Sequence, residues 1–153
     1  MKSGTRTDSA LEGAGVDLNF VHLLCNLDYL GRLCKGVGDA SVHTGSLWSS
    51  NGTLLRTGTF SGESASGWQQ LDFSVPVAIT ANTTYIASYH SGGPTYYSYS
   101  YFQNAGVDNA PLHALKDGVD GPNGVFVYGS GGVFPNQTYA AANYWVDVIF
   151  TTP

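Results

Sequence analysis

Gly45-Ser-Leu-Trp-Ser49, Ser50-Asn-Gly52 and Thr53-Leu-Leu-Arg-Thr-Gly-Thr-Phe60 follow one another without interruption, and together they decide the fold class. Two runs rich in Leu, Trp and Thr flank an Asn-Gly pair. That pair supplies the positive φ angles of a tight hairpin turn, so the stretch reads as two antiparallel strands. Further along, residues 68–75 alternate, with Trp68, Gln70, Asp72 and Ser74 set against Gln69, Leu71, Phe73 and Val75. Pro76 follows and cannot donate to a ladder, so this strand is expected to end there or to lie at a sheet edge. Residues 83–90 form a further strand with Tyr85, Ala87 and Tyr89 on one face and Thr84, Ile86 and Ser88 on the other. Its core-facing side is ambiguous. Residues 143–150 are apolar on both faces, which predicts a buried, central terminal strand holding Tyr144 and Trp145.

Composition agrees with many short strands and tight turns. Charged residues make up 11% of the 153, against roughly 25% in an average soluble protein, while there are 20 glycines and 10 tyrosines. No repeat and no low-complexity linker divides the chain, so residues 1–153 are expected to form one domain. The fold class expected is all-β, an antiparallel β-sandwich of jelly-roll or Ig-like type. The formal charge of -5, with no Lys/Arg run, argues against a nucleic-acid partner. No apolar stretch approaches the roughly 18 residues of a membrane-spanning helix. Residues 1–14 lack the features of a signal peptide, so export would depend on a signal elsewhere.

From about residue 36 onward the chain resembles a bacterial domain family of unknown function. The stretches that carry the likeness are His43-Thr-Gly-Ser-Leu-Trp48, Gly67-Trp-Gln-Gln70, Tyr85-Ile-Ala-Ser-Tyr-His90, Pro111-Leu-His-Ala-Leu115, Gly121-Pro-Asn-Gly-Val125 and Asn143-Tyr-Trp-Val-Asp-Val-Ile-Phe150. Members of that family stand beside immunoglobulin-like or glycoside-hydrolase modules in large exported proteins. The resemblance implies a β-sandwich accessory domain, secreted or at the bacterial cell surface, and it implies no chemistry. The first 35 residues depart from the family pattern. Residues 18–34 lack period-two alternation and contain Cys25 and Cys34, whose spacing fits no metal or redox motif. A reading-frame slip, plain divergence, or a short packed helix would each account for that segment. If it is displaced sequence, an early strand is missing and a sheet edge stands open to a second copy, giving a homodimer or a poorly ordered segment over residues 1–35.

Three sets of residues carry candidate chemistry. In Tyr96-Tyr-Ser-Tyr-Ser-Tyr-Phe102, alternation places Tyr97, Tyr99 and Tyr101 on one face, as a row of rings for stacking on sugars or as a set of cross-strand core pairs. The glycine-rich loop of residues 108–124 offers the oxygen ligands Asp108, Asp117, Asp120 and Asn123. These suit calcium, or else they form Asx turns. His43, His90 and His113 have no ligand spacing, and only convergence in the fold would let them hold zinc or copper; zinc is the less favoured ion here. No Gly-x-Ser-x-Gly elbow is present, and Glu63, Asp72, Asp108 and Asp147 carry no mark of a glycosidase pair. The function expected is a non-catalytic, exported ligand-binding or adhesion-type module for carbohydrate or a cell-surface polymer, with calcium ordering its loop. The alternative is a small metal-dependent hydrolase of an ester, lactone or glycoside, built on the three histidines.

Overall fold

A computed structural model describes residues 4–12, 17–23, 39–93, 97–109 and 112–151, with residues 4–12, 17–23, 109 and 149–151 described through their backbone alone. Eleven strands lie among the described residues: β1 (Gly4–Glu12), β2 (Asp17–Leu23), β3 (Thr44–Ser49), β4 (Leu54–Thr59), β5 (Gln69–Ala78), β6 (Thr84–Ser91), β7 (Val107–Asn109), β8 (Leu112–Ala114), β9 (Val125–Tyr128), β10 (Gln137–Thr138) and β11 (Asp147–Thr151). No helix occurs among the described residues. Eight strands form one sheet in the order β10-β9-β1-β6-β3-β4, with β8 joined to β1 and β7 to β8; β11-β2-β5 form the second. Every strand pairing is antiparallel, and the fold is all-β, consistent with a sandwich.

The hairpin forms as β3 and β4. Only Gly52 takes a positive φ, of 90°, and the register shifts by a bulge between Leu47 and Trp48. Period two then sorts the side chains. Gly45 pairs with Tyr89, Leu47 with Ala87 and Ser49 with Tyr85, which settles the inward face of β6. Leu47, Tyr85, Ala87 and Tyr89 pack in the core with Leu71, Phe73 and Val77 of β5. Gly45 and Gly58 face each other across the hairpin. A Cβ on either would stand 2.8 or 3.0 Å from a Leu71 methyl, so the paired glycines form the notch into which Leu71 fits. The opposite face of β3 and β6 is buried as well. Trp48 donates its indole N–H to Ser88 Oγ at 2.8 Å, and Phe134 packs edge-on against it at 5.6 Å.

Two expectations are corrected. The terminal strand begins only at Asp147 and lies at an edge of its sheet. Asn143 Oδ1 accepts the Trp145 N–H at 2.5 Å, and Trp145 takes φ 58°, a local side-chain turn that breaks the ladder. Tyr144 is in the core, whereas Trp145 is partly buried against it. The second correction concerns the N-terminal segment. Residues 17–23 form β2, which pairs with β11 on one side and β5 on the other. An early strand is therefore present over residues 17–23, at the centre of the smaller sheet, and not missing. Residues 24–34, with Cys25 and Cys34, lie outside the described residues.

Candidate functional site

Tyr97 and Tyr99 line a cavity of about 270 Å³ together with Phe126, Tyr128, Tyr139 and Tyr144. The lining comes from three places in the chain. After an isolated bridge of Ser98 to Asn143, the backbone of the tyrosine run leaves any strand: Ser100 has φ 58°, and Ser100 and Phe102 donate to the carbonyls of Ala140 and Ala141 at 2.8 and 3.0 Å. These bonds lay residues 98–102 alongside residues 140–143, which brings Tyr139 and Tyr144 to Tyr97 and Tyr99. Phe126 and Tyr128 share one face of β9 and close the other side.

The rings touch in an unbroken order. Tyr128 meets Phe126 at a centroid distance of 5.5 Å, Phe126 meets Tyr144 at 6.3 Å, and Tyr144 meets Tyr97 at 6.0 Å. Tyr97 meets Tyr99 at 4.7 Å, and Tyr99 meets Tyr139 at 5.5 Å. Each contact is edge-to-face, the arrangement favoured by ring quadrupoles. The hydroxyls of Tyr97 and Tyr99 hydrogen-bond to each other at 2.7 Å. Tyr99, Tyr128 and Tyr139 are exposed at 55, 48 and 57%, so the cup opens to solvent. Tyr101 does not join it. Its ring packs on Phe102 and Trp145 instead, because the turn after Ser98 ends the alternation that would have aligned all three tyrosines.

A second polar site lies where the chain enters β3. His43 is 4% exposed. Its Nδ1 faces Glu63 Oε2 at 2.8 Å, and its Nε2 faces Asp39 Oδ2 at 3.1 Å. The ring thus bridges two carboxylates, one at each nitrogen. Asp39 also accepts from Ser41 N at 2.8 Å, from Ser41 Oγ at 2.6 Å and from Ser91 Oγ at 3.1 Å. Burial alone would raise the Asp39 pKa. The hydrogen bonds from Ser41, His43 and Ser91 outweigh it and bring the pKa down to about 2. Glycine is required beside this carboxylate, since a Cβ on Gly93 would collide with the Asp39 side chain.

Serine, imidazole and carboxylate are the ingredients of an activated nucleophile. Here they are closed on one another. Ser41 Oγ stands 3.4 Å from His43 Nε2, but it donates to Asp39 and accepts from Gly92 N at 3.1 Å. The arrangement ties residues 39–43, the Glu63 loop and residues 91–93 together. Gln69 shapes the Glu63 loop: its side chain receives the Ser64 N–H at 2.8 Å and donates to Ser64 Oγ at 2.7 Å.

The three histidines do not share one place. His90 pairs with Thr44 across β3 and β6, and so projects from the face opposite that of neighbouring Ser91, which reaches the Asp39 cluster. His113 Nδ1 meets Asp108 Oδ1 at 2.7 Å on the exposed β7–β8 hairpin. Asp108 is thereby separated from the rest of its loop. Asp117 Oδ1 accepts the Asn123 N–H at 2.7 Å. Asn123 is buried, donates Nδ2 to the Leu115 carbonyl at 2.5 Å and accepts from Gly124 N at 2.8 Å. Asp120 is exposed. These are Asx-type contacts that hold the loop by its own backbone. Among the described residues no three of His, Cys, Asp and Glu are placed to hold a metal ion.

Sequence reading found Tyr97 and Tyr99 and missed Phe126, Tyr128, Tyr139 and Tyr144, which carry no local mark of a shared cavity. It singled out His43 without its partners Asp39 and Glu63. No helix long and apolar enough to cross a membrane occurs among the described residues. Residues 32–146 match the family described as Domain of unknown function (DUF4082), and the chain belongs to that family. No curated protein and no solved structure matches the chain.

Proposed function

We propose that this protein is a non-catalytic ligand-binding or adhesion-type module of an exported bacterial protein, and that it takes a carbohydrate or another cell-surface polymer at the aromatic cup. The observation that carries this reading is the unbroken series of six aromatic side chains around a solvent-open cavity. Aromatic surface left in contact with water is unfavourable unless something covers it, and rings grouped in a concavity are a common form of binding site. The hydrolase alternative draws less support: His43, His90 and His113 point to different partners or faces, and the Ser41–His43–Asp39 group spends its hydrogen bonds internally.

Affinity electrophoresis through gels containing soluble cell-wall polysaccharides tests the reading. Retardation of the wild type is expected in at least one gel, with retardation lost in Tyr97→Ala and Tyr139→Ala and kept in Tyr101→Ala, whose ring lies outside the cup. Equal mobility of the wild type and the two cup variants in every gel would count against it.

A further inference from the structure

Resting on the binding reading above, the geometry points to a specific ligand chemistry: we infer that the cup seats a quaternary ammonium group of the choline type, free or carried on a polymer. Three observations lead there. Among the described residues the lining consists of tyrosine and phenylalanine, namely Tyr97, Tyr99, Phe126, Tyr128, Tyr139 and Tyr144, none of them charged at neutral pH. Ring faces carry negative quadrupole density, and aromatic enclosures without a formal charge are the recurring means of holding quaternary ammonium ions.

The second observation is the shape of the wall. Successive rings along the series are turned by 73, 62, 64, 62 and 72°. No two neighbours are coplanar, so the wall bends at every contact and offers no flat platform wider than one ring. A sugar chain stacks through the flat faces of its rings and gains most from coplanar platforms. A trimethylammonium group is nearly spherical, spreads its charge over its methyl hydrogens, and makes good contact with several tilted rings at once. The cavity of about 270 Å³ is small beside the roughly 300–1,000 Å³ of sites for drug-sized molecules, which suits a head group.

Charge supplies the third. The chain carries 11 acidic and 6 basic residues, a formal -5, so its overall field attracts cations. A quaternary ammonium group needs no hydrogen-bond partner and loses less on leaving water than a primary ammonium. It therefore fits a cup whose lining, among the described residues, is made of phenol and phenyl rings.

The test titrates the full chain with choline chloride, tetramethylammonium chloride and the alcohol in which a tert-butyl carbon replaces the ammonium nitrogen of choline, following tyrosine ring signals by NMR at matched ionic strength. Saturable shifts of the cup tyrosines with both ammonium salts are expected, with the neutral isostere binding at least about tenfold more weakly because it lacks only the charge. Tyr139→Ala and Tyr128→Ala should weaken choline binding, while Tyr139→Phe keeps it, since the ring and not the hydroxyl holds the cation. A neutral isostere that binds as tightly as choline would overturn the inference. So would shifts at the same tyrosines produced by neutral oligosaccharides and not by choline; that result leaves the binding reading standing. Absence of any shift with ammonium salts and oligosaccharides alike sinks both.

Discussion

Replacing Asp39 with Asn removes the charge at the centre of the His43 cluster while keeping its shape, and the cost follows from the pKa. The carboxyl is lowered from 3.8 to about 2 in the folded protein. A difference of nearly two units at about 1.36 kcal/mol each corresponds to about 2 kcal/mol of folding stability. The side chain is 3% exposed, so solvent screening takes little from that figure. The sign follows from the direction of the shift. A depressed carboxyl pKa contributes stability that is fully present above the unfolded-state value near 3.8 and is lost as pH falls through the folded value near 2. Urea unfolding at neutral pH should therefore place Asp39→Asn about 2 kcal/mol below the wild type, and the gap should close on going from about pH 5 to pH 2. Comparing the two proteins at each pH cancels the titration of every other shared group, to the extent that the substitution leaves them unperturbed. A gap that stays constant over that range would show that the Asp39 charge is not what the serines and His43 stabilise.

Two further tests separate local causes. Gly124 has φ 62°, and a Cβ there would stand 2.5 and 2.6 Å from the backbone N and O of Ala142, whereas Gly118 has φ 80° with open space around it. Gly124→Ala should cost roughly 2–5 kcal/mol, from strained backbone plus overpacking, against about 1 kcal/mol for Gly118→Ala, and equal losses in denaturant unfolding would refute the close approach. Asn123→Ala removes the partner of the part-buried Leu115 carbonyl and of the buried Gly124 N–H, so it should cost roughly 1–3 kcal/mol. If calcium orders the loop of residues 108–124, chelation lowers the wild-type melting temperature and calcium restores it; if the Asx contacts alone hold the loop, chelation leaves it unchanged.

Much of the scaffold was legible because one-sided burial imposes a period of two. Gln69, Leu71 and Phe73 alternate inward against exposed Gln70, Asp72 and Ser74, as the sequence predicts. Beyond Phe73 the alternation fails: Ser74, Val75 and Pro76 are all exposed. The ladder with β2 shifts there, from Asp72 opposite Phe20 to Val77 opposite Leu18. Proline is tolerated at such an irregularity on an edge strand, so β5 runs through Pro76 to Ala78 without ending. What no periodicity could show is the covering of the outer face of β3 and β6. Gly131 lies against Thr44 and His90, Phe134 lies on Trp48, and Pro135 is fully buried. That face looks ambiguous in sequence because it is buried by residues more than forty positions away.

The site was less legible than the scaffold, for a reason visible in its two halves. Tyr97 and Tyr99 stand two residues apart, and a repeated side chain at short spacing is the kind of signal that sequence displays. Their partners Tyr139 and Tyr144 arrive through backbone bonds from Ser98, Ser100 and Phe102 to residues 140–143, and positive φ occurs in these segments at Ser100, Ala140 and Ala141 and just beyond them at Trp145. None of these four is glycine, so none announces a turn. Each such conformation costs of order 1 kcal/mol or more, and four of them gather in or beside the two segments that hold the tyrosine cup together. If the cup takes a ligand as proposed, rings already fixed by these backbone bonds would lose little entropy on binding, and more of the contact energy would be retained as affinity.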